Sequence, residues 1–336
     1  MNDAVLQAMR DLVQEDVGNR GLARDPAANL LQACAGDFAE ACRSIAATPK
    51  PAVGIVTGFY IPRANPPAGE TDGPLGAIHL ARAWQPLGIR VSLLSDGFCM
   101  RALQAGLAAC GLDRSVTLVT LPESAPTPAE YVRQVLAQTG PLTHLIALER
   151  VGPSHTLESL QAQRGASALG EMYLDFLHDV PPEHQDRCHT MRGLDISVHM
   201  SPAHQLFEKT STGLVTIGIG DGGNEIGMGK IAWDVIRRNI PQGGLVACRV
   251  PTDHLIVCGI SNWGAYALGA GVRQMRGAAH DATLFDPARE GRLLRTMVEA
   301  GPLVDGVSAV PTVTVDGQPF DRYVRKLVEL GKMAAA

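Results

Sequence analysis

The sequence lacks the features that mark nucleic-acid-binding, exported and membrane proteins. Its 336 residues carry a net charge of −5 without a basic tract, which argues against a nucleic-acid partner. The N-terminal stretch carries the acidic residues Asp3, Asp11, Glu15 and Asp16 within its first 16 positions, too many for a signal or transit peptide. An uncharged run at residues 255–272 holds Ser261, Asn262 and several glycines. It predicts a buried strand, a turn and a helix start instead of a membrane span.

The spacing of the cysteines and the low aromatic content also limit the kinds of protein this chain can be. The seven cysteines contain no C-x-x-C pair, and most lie in apolar runs. This distribution argues against a disulfide framework or a zinc site and indicates reduced core residues of a cytoplasmic protein. Aromatic residues make up only 4% of the chain, whereas there are 36 glycines. We therefore expect many tight turns and close backbone packing.

Two nucleotide and hydrolase motifs are also absent. No G-x-S-x-G sequence is present, so the chain has no nucleophile elbow. Gly229-Lys230 resembles the end of a P-loop, but Asn224 stands where the first glycine is required and Ile231 replaces the final Ser/Thr. The sequence thus excludes the P-loop interpretation.

What is present is a regular alternation of apolar strands and amphipathic helices with short connections. This pattern predicts an α/β fold, a mostly parallel sheet flanked by helices. An N-terminal helical segment, residues 1–47, precedes the α/β domain of residues 48–336, and we interpret this segment as a helical cap or an arm for homo-oligomer formation. The irregular stretch 151–213 is the predicted sub-domain seam. The predicted strands are residues 52–61, 89–96, 115–122, 144–150, 214–220, 245–250 and 254–260.

The chain is organised around a glycine-rich loop, residues 218–229, that follows an apolar β-branched run. It spells G-x-G-x-x-G, as a dinucleotide fold does, yet no acid lies about 20 residues on to bind a ribose. The loop also carries Asp221 and Glu225, whose charge repels a pyrophosphate. We therefore expect no nucleotide cofactor. A packing turn that needs glycine is the structural alternative.

A divalent-cation site fits the loop better. Asp221 and Glu225 are four residues apart, and they share one face if a helix begins near them. Asn224 adds a neutral oxygen, and such hard oxygens suit Mg²⁺ or Mn²⁺. Other polar groups follow strands that end at the same edge of a parallel sheet. These groups are Glu70, Thr71, Asp72, Glu149, Arg150, Ser261 and Asn262.

Five segments together resemble the D-glutamate cyclase family, specifically the domain in the C-terminal half of its long mitochondrial members. The segments are GIGDGGNEIGMGK, GETDGPLGA, LERVG, MRGLDIS and DHLIVCGISNWGAYAL. The similarity runs from about residue 52 to residue 330. No preceding hydro-lyase-like domain is present, so the chain is expected to be a stand-alone form. The resemblance implies a lyase that converts D-glutamate to 5-oxo-D-proline and water.

The implied chemistry suggests roles for the candidate residues. A divalent cation would neutralise the substrate carboxylate and stabilise the developing oxyanion. We expect Glu149, Asp221 and Glu225 to hold that cation. Asp72 is the candidate base and Asp195 the reserve, while Lys230 either balances the acids or forms a structural ion pair. The predicted substrate-binding residues are Thr71, Arg192, Asn224, Ser261 and Asn262.

Two other classes of function stay open at this stage. A metal-dependent hydrolase or phosphatase could use the same acidic pocket on a small acidic metabolite. A non-catalytic protein could bind acidic amino acids there without turnover. The sequence does not report the handedness of the substrate or which metal is used.

Overall fold

A parallel six-stranded sheet forms the centre of the molecule. The computed structural model describes residues 3–164, 170–208 and 213–335. The sheet order is β5-β4-β1-β6-β7-β8, and every neighbouring pair is parallel. Every residue of β1 and β6 is buried, as expected for strands covered on both faces. These strands are β1 Ala52–Thr57, β4 Arg90–Ser95, β5 Thr117–Thr120, β6 His144–Leu148, β7 Val215–Gly220 and β8 His254–Val257.

Short strands lie outside this sheet. β2, β3 and β9 form a second sheet, and β10 and β11 form a hairpin. The hairpin turn consists of Asp316, at φ +52°, and Gly317. The bounds are β2 Tyr60–Ile61, β3 Ala68–Glu70, β9 Leu303–Val304, β10 Thr314–Val315 and β11 Gln318–Pro319.

Helices cover both faces of the central sheet and enclose two apolar cores. Val53 and Ile55 of β1 point into the first core, and Val56 points into the second. This alternation follows from the two-residue period of a strand. The helices of the first half are α1 Asp3–Val13, α2 Leu30–Ala33, α3 Asp37–Ala47, α4 Pro74–Trp84, α5 Gly97–Ala109, α6 Pro128–Thr139 and α7 Leu157–Arg164. Those of the second half are α8 Gly170–Asp179, α9 Gln205–Glu208, α10 Trp233–Asn239, α11 Gly243–Val246, α12 Ser261–Met275, α13 Pro287–Ala300, α14 Phe320–Tyr323 and α15 Arg325–Ala335.

The α/β fold and its parallel sheet are therefore confirmed, with one predicted strand wrong. Residues 245–250 begin in α11 and continue as extended chain that packs on the glycine loop. Cys248 N–H donates to Gly223 O, and Arg249 N–H donates to Pro153 O. A short apolar run has no periodicity that distinguishes a strand from other buried chain. Within the predicted seam, residues 165–169 and 209–212 lie outside the described part of the chain.

Among the described residues, no helix has the length and apolarity needed to cross a bilayer. The predicted run at residues 255–272 instead contains β8 and most of α12.

The strand order reverses direction between β1 and β6, at the centre of the sheet. From β1 the chain proceeds to β4 and β5 on one side, and later through β6, β7 and β8 on the other. The carboxyl ends of β1 and β6 therefore flank a crevice of the kind that binds ligands in open α/β sheets.

Candidate functional site

Glu149 lies at this crevice, directly after β6. Its backbone has φ +46°, a left-handed conformation that a non-glycine residue rarely adopts. Its carboxylate accepts a hydrogen bond from Ser261 Oγ at 2.5 Å, and its side chain is buried. Strained backbone held in place by the surrounding structure is common at functional sites. Glu149 is thus a functional candidate on its conformation as well as its position.

Asp72 is held against Glu149 by the start of α12. Its two carboxylate oxygens accept the backbone N–H groups of Ser261 at 2.9 Å and Asn262 at 2.8 Å. The next residue, Gly73, has φ +87°, and a Cβ there would lie 2.8 Å from Glu149 Cβ. Only glycine permits this approach of the two segments. The helix start of α12 and Gly73 together fix Asp72 in the crevice.

The glycine loop after β7 brings Asp221 to the same place, but through a different arrangement from the one predicted. No helix begins beside Asp221, because α10 starts only at Trp233. Instead, Glu225 accepts the backbone N–H groups of residues 221, 222 and 223 at 2.6–2.8 Å. A carboxylate with three such bonds stabilises the loop. In the structure Glu225 therefore supports the loop, and Asp221 is the loop acid whose side chain lines the crevice.

Asp72, Glu149 and Asp221 converge into a carboxylate triad. Each offers one oxygen, and the three oxygens lie within 4.8 Å of one another. All three side chains are buried. Three hard oxygen donors at this separation match the donors that Mg²⁺ and Mn²⁺ prefer. The donor set of the triad therefore fits a divalent cation.

Two more buried acids and one arginine adjoin the triad. Glu70 and Asp316 are 6% and 8% exposed, respectively. Arg20 Nη1 lies 2.8 Å from Asp221 Oδ2, and its Nη2 lies 2.9 Å from Asp316 Oδ2. No other ion pair to these five acids is present among the described residues. Acidic charge therefore exceeds basic charge in the interior of the site.

This charge excess and the burial raise the pKa values of the acids. Desolvation is the largest cause in each case, and neighbouring carboxylates add to it. The pKa values of Glu70, Glu149 and Asp221 all lie well above their ordinary values. The pKa of Asp72 is raised to about 8 by burial and by Asp316, even though its backbone hydrogen bonds act in the opposite direction. Without a further cation, the site favours protonated carboxyls.

A cavity of about 160 Å³, which we call the acidic cavity, is lined by four of these acids (Glu70, Glu149, Asp221 and Asp316) and opens to solvent. Its volume suits a small metabolite and falls below the roughly 300–1,000 Å³ usual for drug-sized ligands. Apolar and basic side chains surround its mouth. The lining residues are Arg20, Phe59, Ile61, Pro62, Arg63, Glu70, Glu149, Thr190, Met191, Arg192, Leu194, Asp221, Gly306, Val307 and Asp316.

Several predicted substrate ligands have structural partners instead. Thr71 Oγ1 donates to Thr314 O, and Asn224 Nδ2 donates to His189 O. Asn262 Oδ1 accepts the N–H groups of Gly73 and Gly76. Asn262 therefore caps α4, a role that the sequence analysis did not assign to it. Ser261 bonds to Glu149 and so contacts the triad directly.

The remaining predicted residues lie at different distances from the triad. Arg192 is exposed and lines the mouth of the acidic cavity. Asp195 is also exposed, bonds to Ser197, and is not among the described residues that line the cavity. Lys230 Nζ lies 2.5 Å from Asp37 Oδ2 and 2.6 Å from Asp253 O. The structure thus places Lys230 in an ion pair with α3.

Sequence reasoning missed Arg20 and Asp316 because both come from segments remote from the strand ends. Arg20 belongs to the N-terminal segment, for which the sequence suggested no chemistry, and Asp316 belongs to the C-terminal hairpin turn. One signal existed for Asp316, since an Asp-Gly pair marks a turn that can project its acid. No comparable signal marked Arg20.

The sequence of this chain is similar to known proteins over most of its length. The family model described as "D-glutamate cyclase-like, C-terminal" matches residues 9–166 and 179–331, so the similarity begins within the N-terminal helices. The protein of Homo sapiens named "D-glutamate cyclase, mitochondrial" is 27% identical over 357 aligned positions. That alignment covers 97% of this chain and 52% of the human protein, so the chain spans about half the length of this relative. The chain belongs to the D-glutamate cyclase-like, C-terminal family.

Proposed function

We propose that this protein is a D-glutamate cyclase, a lyase that converts D-glutamate to 5-oxo-D-proline and water with the help of a divalent cation. The observation that carries the proposal is the convergence of Asp72, Glu149 and Asp221 beside a small cavity that Glu149 and Asp221 line. Family membership and the name of the human relative support the choice of substrate.

The triad residues would hold Mn²⁺ or Mg²⁺. Bound there, the cation would neutralise the side-chain carboxylate of the substrate, which otherwise repels the attacking amine. Glu225 is removed from the predicted ligand set because its oxygens accept three backbone N–H groups. Asp72 joins the set because it lies beside Glu149 and Asp221.

We assign the proton transfers to Glu70 instead of Asp72 or Asp195. Glu70 is 94% buried, lines the acidic cavity, and makes no hydrogen bond or ion pair through its carboxylate within the described residues. Its raised pKa brings it closer to that of an ammonium group, which favours proton transfer. The substrate nitrogen loses two protons as the N–C bond forms, and the departing carboxyl oxygen takes up two as water. Glu70 can pass each proton from nitrogen to oxygen.

Arg192 would bind the α-carboxylate of the substrate at the mouth of the cavity. It is exposed and lines that mouth, as does Arg63 on the opposite segment. A carboxylate held there leaves the amine and the side chain directed toward the interior acids. Holding both ends of a flexible substrate favours ring closure because the reacting groups stay close together.

We also propose a cellular location and an oligomeric state for this protein. The free cysteines support a cytoplasmic location, as the sequence indicated. The boundary after residue 47, the seam at 151–213 and a homo-oligomer formed through the N-terminal segment stay predictions. Analytical ultracentrifugation of the full chain would determine the oligomeric state.

The activity can be tested directly. Purified protein is incubated with D-glutamate or L-glutamate and either Mn²⁺ or Mg²⁺, with and without chelator, and 5-oxoproline is measured. We expect product from D-glutamate, a marked loss on chelation, and inactivity of Asp221→Asn. Asp113→Asn, which changes an exposed acid far from the triad, serves as the matched control. Absence of product from either enantiomer would refute the cyclase proposal.

The same preparation separates the two alternatives. Phosphomonoester hydrolysis without action on glutamate would favour a metal-dependent phosphatase. Tight D-glutamate binding by calorimetry without turnover would favour a non-catalytic binding protein.

A further inference from the structure

The loop between α1 and α2 extends a charged side chain into the catalytic region. Arg20 is the residue concerned, and its side chain is 18% exposed. Its two terminal nitrogens face Asp221 of the glycine loop and Asp316 of the C-terminal hairpin, at 2.8 and 2.9 Å. One guanidinium thus joins three segments that are distant in the sequence.

The loop that carries Arg20 is itself fixed. The carboxylate of Asp16 accepts the N–H groups of Arg20, Gly21 and Leu22 at 2.8–3.0 Å. Gly21 has φ +94°, and a Cβ there would lie 2.2 Å from Asn239 O. A larger residue therefore could not pack at this position without displacement of the backbone. The Arg20 backbone is held in place independently of the acids that its side chain meets.

The Arg20 side chain is anchored at its far end as well. Nη1 donates a hydrogen bond to Gly259 O at 3.2 Å, next to the end of β8. The contacts with Asp221 and Asp316 are close ion pairs, although neither Oδ2 atom receives a well-directed N–H. Each carboxylate therefore retains lone pairs for another ligand.

We propose that Arg20 is a positioning residue that orients Asp221 for cation binding and holds the Asp316 hairpin turn beside it. This inference rests on the proposed cation site of the triad. A guanidinium can span two carboxylates with its planar fork, whereas a lysine ammonium offers a single charged point. Groups that hydrogen-bond to metal ligands fix the orientation of those ligands, and their mutation typically lowers metal affinity.

The test measures cation binding without turnover. Isothermal titration calorimetry with Mn²⁺ alone, and separately with Mg²⁺ alone, is performed on the full-length wild type, Arg20→Gln, Arg20→Lys and Arg24→Gln. We expect both Arg20 variants to bind about 10- to 100-fold more weakly than wild type. Arg24 is exposed in the same loop, so its variant should bind like wild type.

Arg20→Lys separates orientation from charge. If the guanidinium must contact Asp221 and Asp316 at once, Arg20→Lys should bind the cation more weakly although the positive charge is kept. Wild-type affinity in Arg20→Lys, or unchanged or tighter binding in Arg20→Gln, would overturn the inference. If Arg20→Gln does not fold, as judged by circular dichroism, Asp316→Asn takes its place. That variant removes the charge of the second carboxylate and should also weaken binding; equal binding would overturn the inference.

The outcome is distinguishable from a failure of the proposed function. If wild type binds neither cation, the cation site itself is refuted and this inference with it. If wild type binds and turns over D-glutamate while the Arg20 variants bind normally, only the positioning role of Arg20 is refuted. A structural role alone would lower the melting temperature of Arg20→Gln without a change in cation affinity of the folded protein.

Discussion

Two buried clusters of charge in this protein differ in how completely they are compensated. In the first, the fully buried Glu290 carboxylate accepts hydrogen bonds from Arg82 Nη1 at 3.0 Å and from Tyr266 Oη at 2.7 Å. Arg82 donates a further bond to Thr283 O. The second cluster is the acidic cavity, where five buried acids meet one arginine as their ion-pair partner among the described residues.

The two clusters differ in whether their buried charges are balanced, and this decides how each is expected to respond to substitution. A buried ion pair whose lone pairs and protons are all satisfied tolerates its low-dielectric surroundings. An excess of buried acids does not, because desolvation and mutual repulsion both oppose ionisation. Acids kept in such surroundings are candidates for a cation or a substrate. Four predictions follow from this contrast.

The largest effect on activity is expected from Glu149→Gln. The change removes one negative charge of the triad but keeps an oxygen that can accept the Ser261 hydroxyl. We expect kcat/KM for D-glutamate to fall by about 10³, equivalent to about 4 kcal/mol of transition-state stabilisation. Urea unfolding of the chelated protein should change little, because the variant also relieves repulsion. Strong destabilisation with intact activity would instead mean that the acids of the cavity stabilise the fold.

Glu290→Ala should have the opposite profile. Removal of one partner from a buried pair leaves Arg82 without its carboxylate and commonly costs about 3–5 kcal/mol of unfolding free energy. Denaturant titration measures this loss, and the remaining folded protein should keep its kcat. Glu290→Gln is the control, since it keeps an acceptor for Tyr266 and should cost less. If both variants were as stable as wild type, the Arg82–Glu290 ion pair would not contribute to the stability of the fold.

The pH dependence of the metal-free protein should follow the raised pKa values. The folded-state pKa of Asp72 is about 8, above its unfolded value, so its stabilising contribution is present at low pH and lost as pH rises. Glu70, Glu149 and Asp221 shift in the same direction. Between pH 4 and pH 8 we expect the free energy of unfolding of the chelated protein to fall by several kcal/mol, because each pH unit over which Asp72 keeps its proton only in the folded state costs about 1.4 kcal/mol. Mn²⁺ should restore stability at pH 8, and thermal melts with and without the cation test this.

The smallest effect is expected from Lys230→Met. Lys230 pairs with Asp37 at a partly exposed position, and such pairs contribute about 0–1 kcal/mol. Lys230 donates to Asp253 O at the amino end of β8, whereas the triad lies at the carboxyl ends of the strands, so we expect unchanged kcat/KM and a small fall in melting temperature. Asp37→Asn should give a similar fall. A large loss of kcat in Lys230→Met would instead favour the other expectation from the sequence, in which Lys230 balances the charge of the acids.

Much of the fold could be predicted from the sequence because the strands are continuous apolar runs and the helices are amphipathic. The six strands of the central sheet all lie in predicted segments. The sequence Thr127-Pro128-Ala129-Glu130 is typical of a capped helix start, and in the structure the Thr127 side chain accepts the Glu130 N–H. The strand at 245–250 was wrong because a short apolar run does not reveal whether its backbone pairs with a sheet or with a loop.

From the sequence alone one could predict that acids gather at this edge, since parallel strands end there and Glu149 and Asp221 directly follow β6 and β7. The contact that each of these polar residues makes became apparent only from the way distant segments pack together. Glu225 supports the loop, Asn262 caps α4, and Asp72 completes the triad. Arg20 and Asp316 join the site across most of the chain length. Periodicity and spacing describe neighbours along the chain, whereas these contacts depend on how distant segments pack.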